Sequence, residues 1–214
     1  MVKHTEIIFL IDKSGSMGRL VDDTIEGFNS FVDGQKDETK TTLTTVLFDS
    51  MCKTIHNGLD VYEVEPMTKE DYIPGGFTAM LDAVGETINT VQNRHDDMGD
   101  AKPDSVLFVI TTDGEENSSK KFTKADIERM IKHQTNGHGW EFIFLGANID
   151  AVKEAESIGI SANRAVNYAW DSIGTDALYG TVTTAACSVK GCTMDSFNIS
   201  EAYESSLSSC VSTK

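Results

Sequence analysis

Three stretches of the chain are almost unbroken runs of apolar residues: 7–11 (IIFLI), 105–111 (SVLFVIT) and 140–146 (WEFIFLG). Each is short, rich in Ile, Val and Phe, and bounded by turn residues. Strands buried on both faces look like this, as in a parallel sheet covered by helices. Residues 41–49 (TTLTTVLFD) and 52–57 (CKTIHN) are more polar and alternate. So few residues separate them that a hairpin at one sheet edge is predicted.

Between the strands the apolar period lengthens. Val21, Ile25, Phe28 and Val32 fall on one helical face, as do Leu81, Val84, Ile88 and Val91. Ile127, Met130 and Ile131 make a shorter stripe, with Thr123 three residues before Asp126 as a helix-start signal. Val152, Ala155 and Ile158 begin another helix, and Leu178, Val182, Ala185 and Val189 a further one, preceded by a short strand near residues 165–168. The order β-α-β-β-α-β-α-β-α-β-α predicts a doubly wound α/β fold. Its sheet is mostly parallel with one antiparallel edge strand, and helices cover both faces through right-handed crossovers. This domain spans residues 1–190. Residues 191–214 are Ser-rich and weakly periodic, and read as a C-terminal tail, either docking or loosely ordered.

Charge narrows the partners. The 214 residues include 34 acidic and 18 basic side chains, a formal charge of −16. Phosphate backbones and anionic membranes need clustered Lys and Arg, so neither nucleic acid nor a membrane surface is an expected partner, whereas cations are. The longest wholly apolar run is far short of the roughly 20 residues that span a bilayer. The opening MVKHTE leads into a short strand with no signal core, so a cytoplasmic protein is expected. Cys52, Cys187, Cys192 and Cys210 are scattered, which fits reduced thiols. The histidines His4, His56, His95, His133 and His138 show no zinc spacing.

In an open α/β sheet, ligands bind beyond the carboxyl ends of the strands. Three polar sets stand there. The first run ends in Asp12, followed by Ser14 and Ser16 at alternate positions (DKSGS). Thr78 lies in PGGFTAMLDA, at the mouth of a helix and after a turn that Gly75 and Gly76 permit. Asp113 follows the 105–111 run in ITTDGEEN. Together they offer two carboxylates and three hydroxyls. All are hard oxygen donors, suited to Mg²⁺, with Mn²⁺ or Ca²⁺ as alternatives, rather than to Zn²⁺. Gly15, between the serines, lets the backbone approach an ion.

Read together, D-x-S-x-S, the Thr after a Gly-rich turn and T-D-G after a buried strand resemble the von Willebrand factor A domain of the bacterial or phage cytosolic type. The likeness covers about residues 5–190. It implies a Rossmann-like fold with a metal ion-dependent adhesion site formed by Asp12, Ser14, Ser16, Thr78 and Asp113. The hydroxyls would touch the ion directly, and the carboxylates directly or through water. One open position would be filled by a partner's Asp or Glu. The resemblance thus implies a non-enzymatic protein-binding module. Cytosolic relatives often work beside AAA+ ATPases or in stress systems.

Other readings compete. Asp12 and Ser14 could simply cap a helix starting near Gly18. Asp82 either braces the site or sits as a first-turn carboxylate. Gly76 and Glu115 belong to the rim, and Glu115, Glu116 and Asn117 read as a solvated loop. Met17, Met67 and Met80 either line an adaptable contact surface or pack in the core, and Cys187 reads as a core residue. A metal-dependent phosphohydrolase with Asp12 as nucleophile is the enzymatic alternative, although the expected second Asp is Ser14. A structural or assembly role in a phage or stress-response complex is the third.

Overall fold

The computed structural model describes residues 3–212. Six strands, β1 (His4–Asp12), β2 (Lys40–Phe48), β3 (Cys52–Asp60), β4 (Ser105–Thr112), β5 (Trp140–Gly146) and β6 (Ala165–Asn167), form one sheet in the order β3-β2-β1-β4-β5-β6. Every pairing is parallel except β2–β3, the edge hairpin. The fold class is therefore the one the hydrophobic pattern predicts.

All nine residues of β1 are buried, because β1 is central and covered on both sides. Its alternating side chains feed two separate cores. Ile7, Phe9 and Ile11 join α1 (Val21–Gly34) and α5 (Ser172–Lys190) on one face. Ile8 and Leu10 join α2 (Met80–Met98), α3 (Lys124–His138) and α4 (Ala151–Ser157) on the other. Burying a Leu, Ile or Phe is worth about 1.5–3 kcal/mol, so this two-sided burial is what fixes strand register. The predicted start of α3 is a full capping box: Thr123 accepts from the Asp126 N–H, and Asp126 accepts from the Thr123 N–H.

Residues 199–212, inside the segment expected to be a tail, form a sixth helix, α6 (Ile199–Ser212). It docks on its own domain: Ile199, Ala202 and Tyr203 enter the α1/α5 core, and the Tyr203 hydroxyl accepts from the Ala169 N–H at 2.8 Å. Cys187 is also corrected. It is exposed, because Ala185, Ala186 and Val189 take the inward face of α5. Met17, Met67 and Met80 are buried, so they pack rather than form a contact surface. Among the described residues no helix is long and apolar enough to cross a membrane.

The chain leaves β1 toward β2 on one side, while β4 lies on the other. The carboxyl ends of β1 and β4 therefore flank the point where strand order reverses, which is where such sheets open a crevice.

Candidate metal centre

Asp12 ends β1 with its side chain fully buried. One carboxylate oxygen accepts from the Ser14 N–H at 2.6 Å and the other from the Thr112 hydroxyl at 2.6 Å. The buried Tyr72 hydroxyl donates to the Asp12 carbonyl at 2.6 Å. Backbone bonds from Lys13 N–H to the Phe48 carbonyl and from Gly75 N–H to the Lys13 carbonyl continue the bracing. Lys13 itself pairs with Asp49. The turn after β1 is thus held from β2, from β4 and from the 72–76 loop.

Ser14 is extended and precedes a 3₁₀ turn at Gly15–Arg19. Its side chain caps neither this turn nor α1, so the capping explanation of the motif does not describe the structure. Instead Ser14 Oγ lies 3.1 Å from Ser16 Oγ, and Ser16 Oγ donates to Asp113 Oδ1 at 2.6 Å. Sequence positions almost 100 residues apart are joined this way because parallel β1 and β4 end side by side.

Asp113 follows β4 and is buried. Its second oxygen, Oδ2, is buried with no hydrogen-bond partner among the described residues. Burial raises its pKa, and the Ser16 hydroxyl, its own backbone N–H and the nearby Trp170 indole N–H, which makes no hydrogen bond of normal geometry, partly offset the effect. Burial also pushes Asp12 up, to about 6, against the lowering influence of its Thr112 and Ser14 hydrogen bonds. Neither carboxylate has an ion pair with a basic side chain among the described residues. Two adjacent buried acids with no protein counter-charge are costly unless something positive joins them.

Thr78 is buried just before α2, whose first residue is Met80. Asn117 fixes it: Asn117 Oδ1 accepts from the Thr78 N–H at 2.9 Å, and the Asn117 N–H donates to the Thr78 carbonyl at 3.1 Å. A Cβ on Gly114 would lie 3.6 Å from Thr78 Oγ1, which places the hydroxyl beside the loop that follows Asp113. Gly76 has φ of 71°, and a Cβ there would meet Ser50 Oγ at 2.9 Å, so this turn needs glycine. A Cβ on Gly15 would make only an ordinary 3.7 Å contact with the Gly76 carbonyl.

The rim differs from a merely solvated loop. Glu115 is exposed as expected. Glu116 instead accepts from the N–H groups of Ser118 and Ser119 at 2.8 and 2.7 Å and from the Leu81 N–H at 2.9 Å. It thereby ties the loop to the first turn of α2. Asp82 accepts from the N–H groups of Lys120, Lys121 and Phe122 at 2.9–3.0 Å. Burial opposes its ionisation, but these donors hold its pKa below the ordinary value. Asp82 therefore braces the loop that follows Asp113, and it lines the groove beside Phe77 and Asn117. Glu116 and Asn117, read from the sequence as part of a solvated loop, are instead bracing residues. Their signal was acidic and amide side chains placed after T-D-G, close to a helix start with unsatisfied N–H groups.

Asp12, Ser14, Ser16 and Asp113 are therefore joined by hydrogen bonds or close oxygen contacts, and the Thr78 hydroxyl lies beside Gly114, the residue after Asp113. The orphaned Asp113 oxygen, the two uncompensated carboxylates and the neighbouring hydroxyls make a donor set that fits a hard divalent cation. Among the described residues no cluster of three or more His, Cys, Asp or Glu side chains could hold a metal, so any ion here would depend on hydroxyls.

No protein-family model matches the sequence, and no curated protein does. Solved structures do match in fold. The PilB minor pilin from Streptococcus sanguinis aligns with a TM-score of 0.61 at 10% identity, over 87% of this chain and 62% of that one. Proximal thread matrix protein 1 from the mussel byssus, solved with a zinc-occupied MIDAS motif, aligns with a TM-score of 0.58 at 17% identity, over 87% and 48%. A von Willebrand factor type A protein from Catenulispora acidiphila gives 0.54 at 15%, over 85% and 42%. The chain spans about half the length of the mussel protein and less than two thirds of the others. At these identities the likeness establishes the fold, an α/β sheet of the von Willebrand factor A type.

Proposed function

We propose that this chain is a non-enzymatic protein-binding module that holds a divalent cation, Mg²⁺ in preference to Mn²⁺ or Ca²⁺, and engages a carboxylate of a protein partner. Ser14, Ser16 and Thr78 would hold the ion through hydroxyls, with Asp12 and Asp113 as the anionic donors. The observation that carries the reading is the buried, unpartnered Oδ2 of Asp113 beside the Ser14–Ser16 pair. When bound, the cation supplies positive charge and a coordination position for an outside oxygen ligand. The residues of the chain fix the donors: Thr112 and the Ser14 N–H orient Asp12, Ser16 orients Asp113, and Asn117 orients Thr78. The mussel structure with a zinc-occupied MIDAS motif supports a metal role for this fold, though not the choice of ion.

The residue two positions after Asp12 favours binding over catalysis. A phosphohydrolase with Asp12 as nucleophile would need an acid/base there, and the position is Ser14. The partner's identity, whether an AAA+ ATPase or a component of an assembly, is read out by affinity capture from host extract with Mg²⁺. Prey lost both on EDTA treatment and with Asp12→Ala supports the proposal. Prey retained under both conditions refutes it.

A further inference from the structure

The loop between β6 and α5 brings a further side chain to the candidate metal centre. Trp170 lies in it, after Asn167 ends β6 and before Ser172 opens α5. β4, β5 and β6 are consecutive in the sheet and parallel, so this loop and Asp113 emerge at the same edge.

Two buried atoms here lack partners among the described residues, and they are complementary. Trp170 Nε1 can only donate, and Asp113 Oδ2 can only accept when ionised. Their side chains are neighbours, since the indole N–H is one of the groups that favour the Asp113 carboxylate. Burial raises the Tyr168 pKa well above its ordinary value, and the charges of Asp113 and Asp12 add to the effect, so both acids lie near this loop. Buried polar groups are nearly always paired, so an orphaned donor beside an orphaned acceptor requires a reason.

The indole is also held in place. The Arg19 guanidinium lies 5.6 Å from the centre of its ring. Arg19 ends the 3₁₀ turn that contains Ser16. Trp170 therefore meets the turn after β1 with its face and the residue after β4 with its N–H edge. Its own backbone neighbours are pinned. The Tyr168 N–H donates to the Gly146 carbonyl at 2.9 Å and the Ala169 N–H to the Tyr203 hydroxyl at 2.8 Å. Asp171 Oδ1 accepts from the Gly174 N–H at 2.7 Å. The ring packs against the α1/α5 core, but a phenyl ring would do that equally well, so the N–H is the feature that needs a role.

We propose that Trp170 is a positioning residue of the metal centre, its indole N–H serving with the Ser16 hydroxyl as a second donor that orients the Asp113 carboxylate. This rests on the metal-dependent reading above. A carboxylate has about four acceptor sites, so Ser16, Trp170 and a cation can share it. A neutral donor suits the task. Lys or Arg in the same place would neutralise Asp113 and repel the ion, whereas an indole fixes the carboxylate and leaves its charge free.

Trp170→Phe in the full chain is the test, because Phe keeps an aromatic face for Arg19 and for the core but has no N–H. Mn²⁺ affinity, Tm in EDTA and tryptophan emission during Mg²⁺ addition are measured on variant and parent. Trp140, the other tryptophan, opens β5 at the far end of the sheet and serves as an internal control. The expected result is Mn²⁺ affinity weakened at least about threefold, for loss of one hydrogen bond to a charged acceptor. Tm in EDTA stays within about 3 °C of the parent or rises, since a buried unpaired donor has been removed. Mg²⁺ changes the emission of the parent and not that of Trp170→Phe. A smaller loss of affinity overturns the proposal. So does a larger fall of Tm in EDTA, which would make Trp170 a packing residue. An emission change absent from the parent, or surviving in the variant, overturns it as well. These outcomes leave the metal reading intact, whereas a parent that binds no Mn²⁺ overturns both.

Discussion

Replacing Asp12 by Asn should stabilise the metal-free protein while abolishing its response to metal. Asp12 is fully buried, and burial raises its pKa from 3.8 to about 6. At about 1.4 kcal/mol per pKa unit, this shift costs the folded state about 3 kcal/mol at neutral pH. Asparagine removes the charge and keeps the shape. Its oxygen can accept from the Ser14 N–H, and its NH₂ can donate to Thr112 Oγ1, whose hydroxyl can turn to the Gly114 carbonyl 3.1 Å away. Loss of charge-assisted hydrogen bonds offsets part of the gain, leaving about 1–3 kcal/mol. For a chain of this size that raises Tm by about 3–10 °C.

The pH dependence follows from the same shift. Between about 3.8 and about 6 the folded chain holds the Asp12 proton and the unfolded chain does not, so Asp12 costs stability as pH rises through this window. The advantage of Asp12→Asn should therefore be full at about pH 7.5, about half at pH 5 and gone below about pH 4. Thermal unfolding in EDTA at these pH values measures it. Addition of Mg²⁺ should then raise Tm of the parent and leave the variant unmoved. A variant no more stable than the parent in EDTA at neutral pH would refute the electrostatic reasoning. So would a gain that does not shrink on acidification.

Three further outcomes are expected. Asn117→Ala removes the acceptor of the Thr78 N–H and should weaken metal affinity at least several-fold in a calorimetric titration, with a stability loss of about 1–2 kcal/mol. Arg94→Ala leaves the buried Glu6 carboxylate with only His95 and Thr44 as partners, and denaturant unfolding should show a loss of about 3 kcal/mol without a change in metal affinity. Gly174→Ala places a Cβ 1.9 Å from the Ala169 carbonyl oxygen at the start of α5, and should cost at least about 1–3 kcal/mol in the same assay.

Much of this architecture was legible because burial is written into β1, β4 and β5 as uninterrupted apolar residues, and because each candidate donor follows one of those runs or precedes a helix. What eluded the sequence was whatever depends on tertiary contact. The last helix is Ser-rich, and Ser ordinarily competes with the backbone for hydrogen bonds. Here Ser208, Ser209 and Ser212 turn their hydroxyls back to carbonyls four residues earlier, while docking of Ile199, Ala202 and Tyr203 supplies the stability. Glu116 looked like a solvent-facing acid because nothing local reveals that the Leu81 N–H points at it across the loop. The Glu6–Arg94–His95 network was equally hidden. Glu6 sits just before the apolar stretch of β1, and its partners lie almost 90 residues away on α2.

The central claim is that oxygen atoms from the β1 turn, the start of α2 and the end of β4 hold one hard cation. Electron paramagnetic resonance of Mn²⁺ titrated into the full chain tests it most directly, with Asp113→Ala as the paired sample. One bound Mn²⁺ per chain, displaced by excess Mg²⁺ and lost in Asp113→Ala, is the predicted result. Mn²⁺ that stays free in the parent, or binds equally in both proteins, would contradict it.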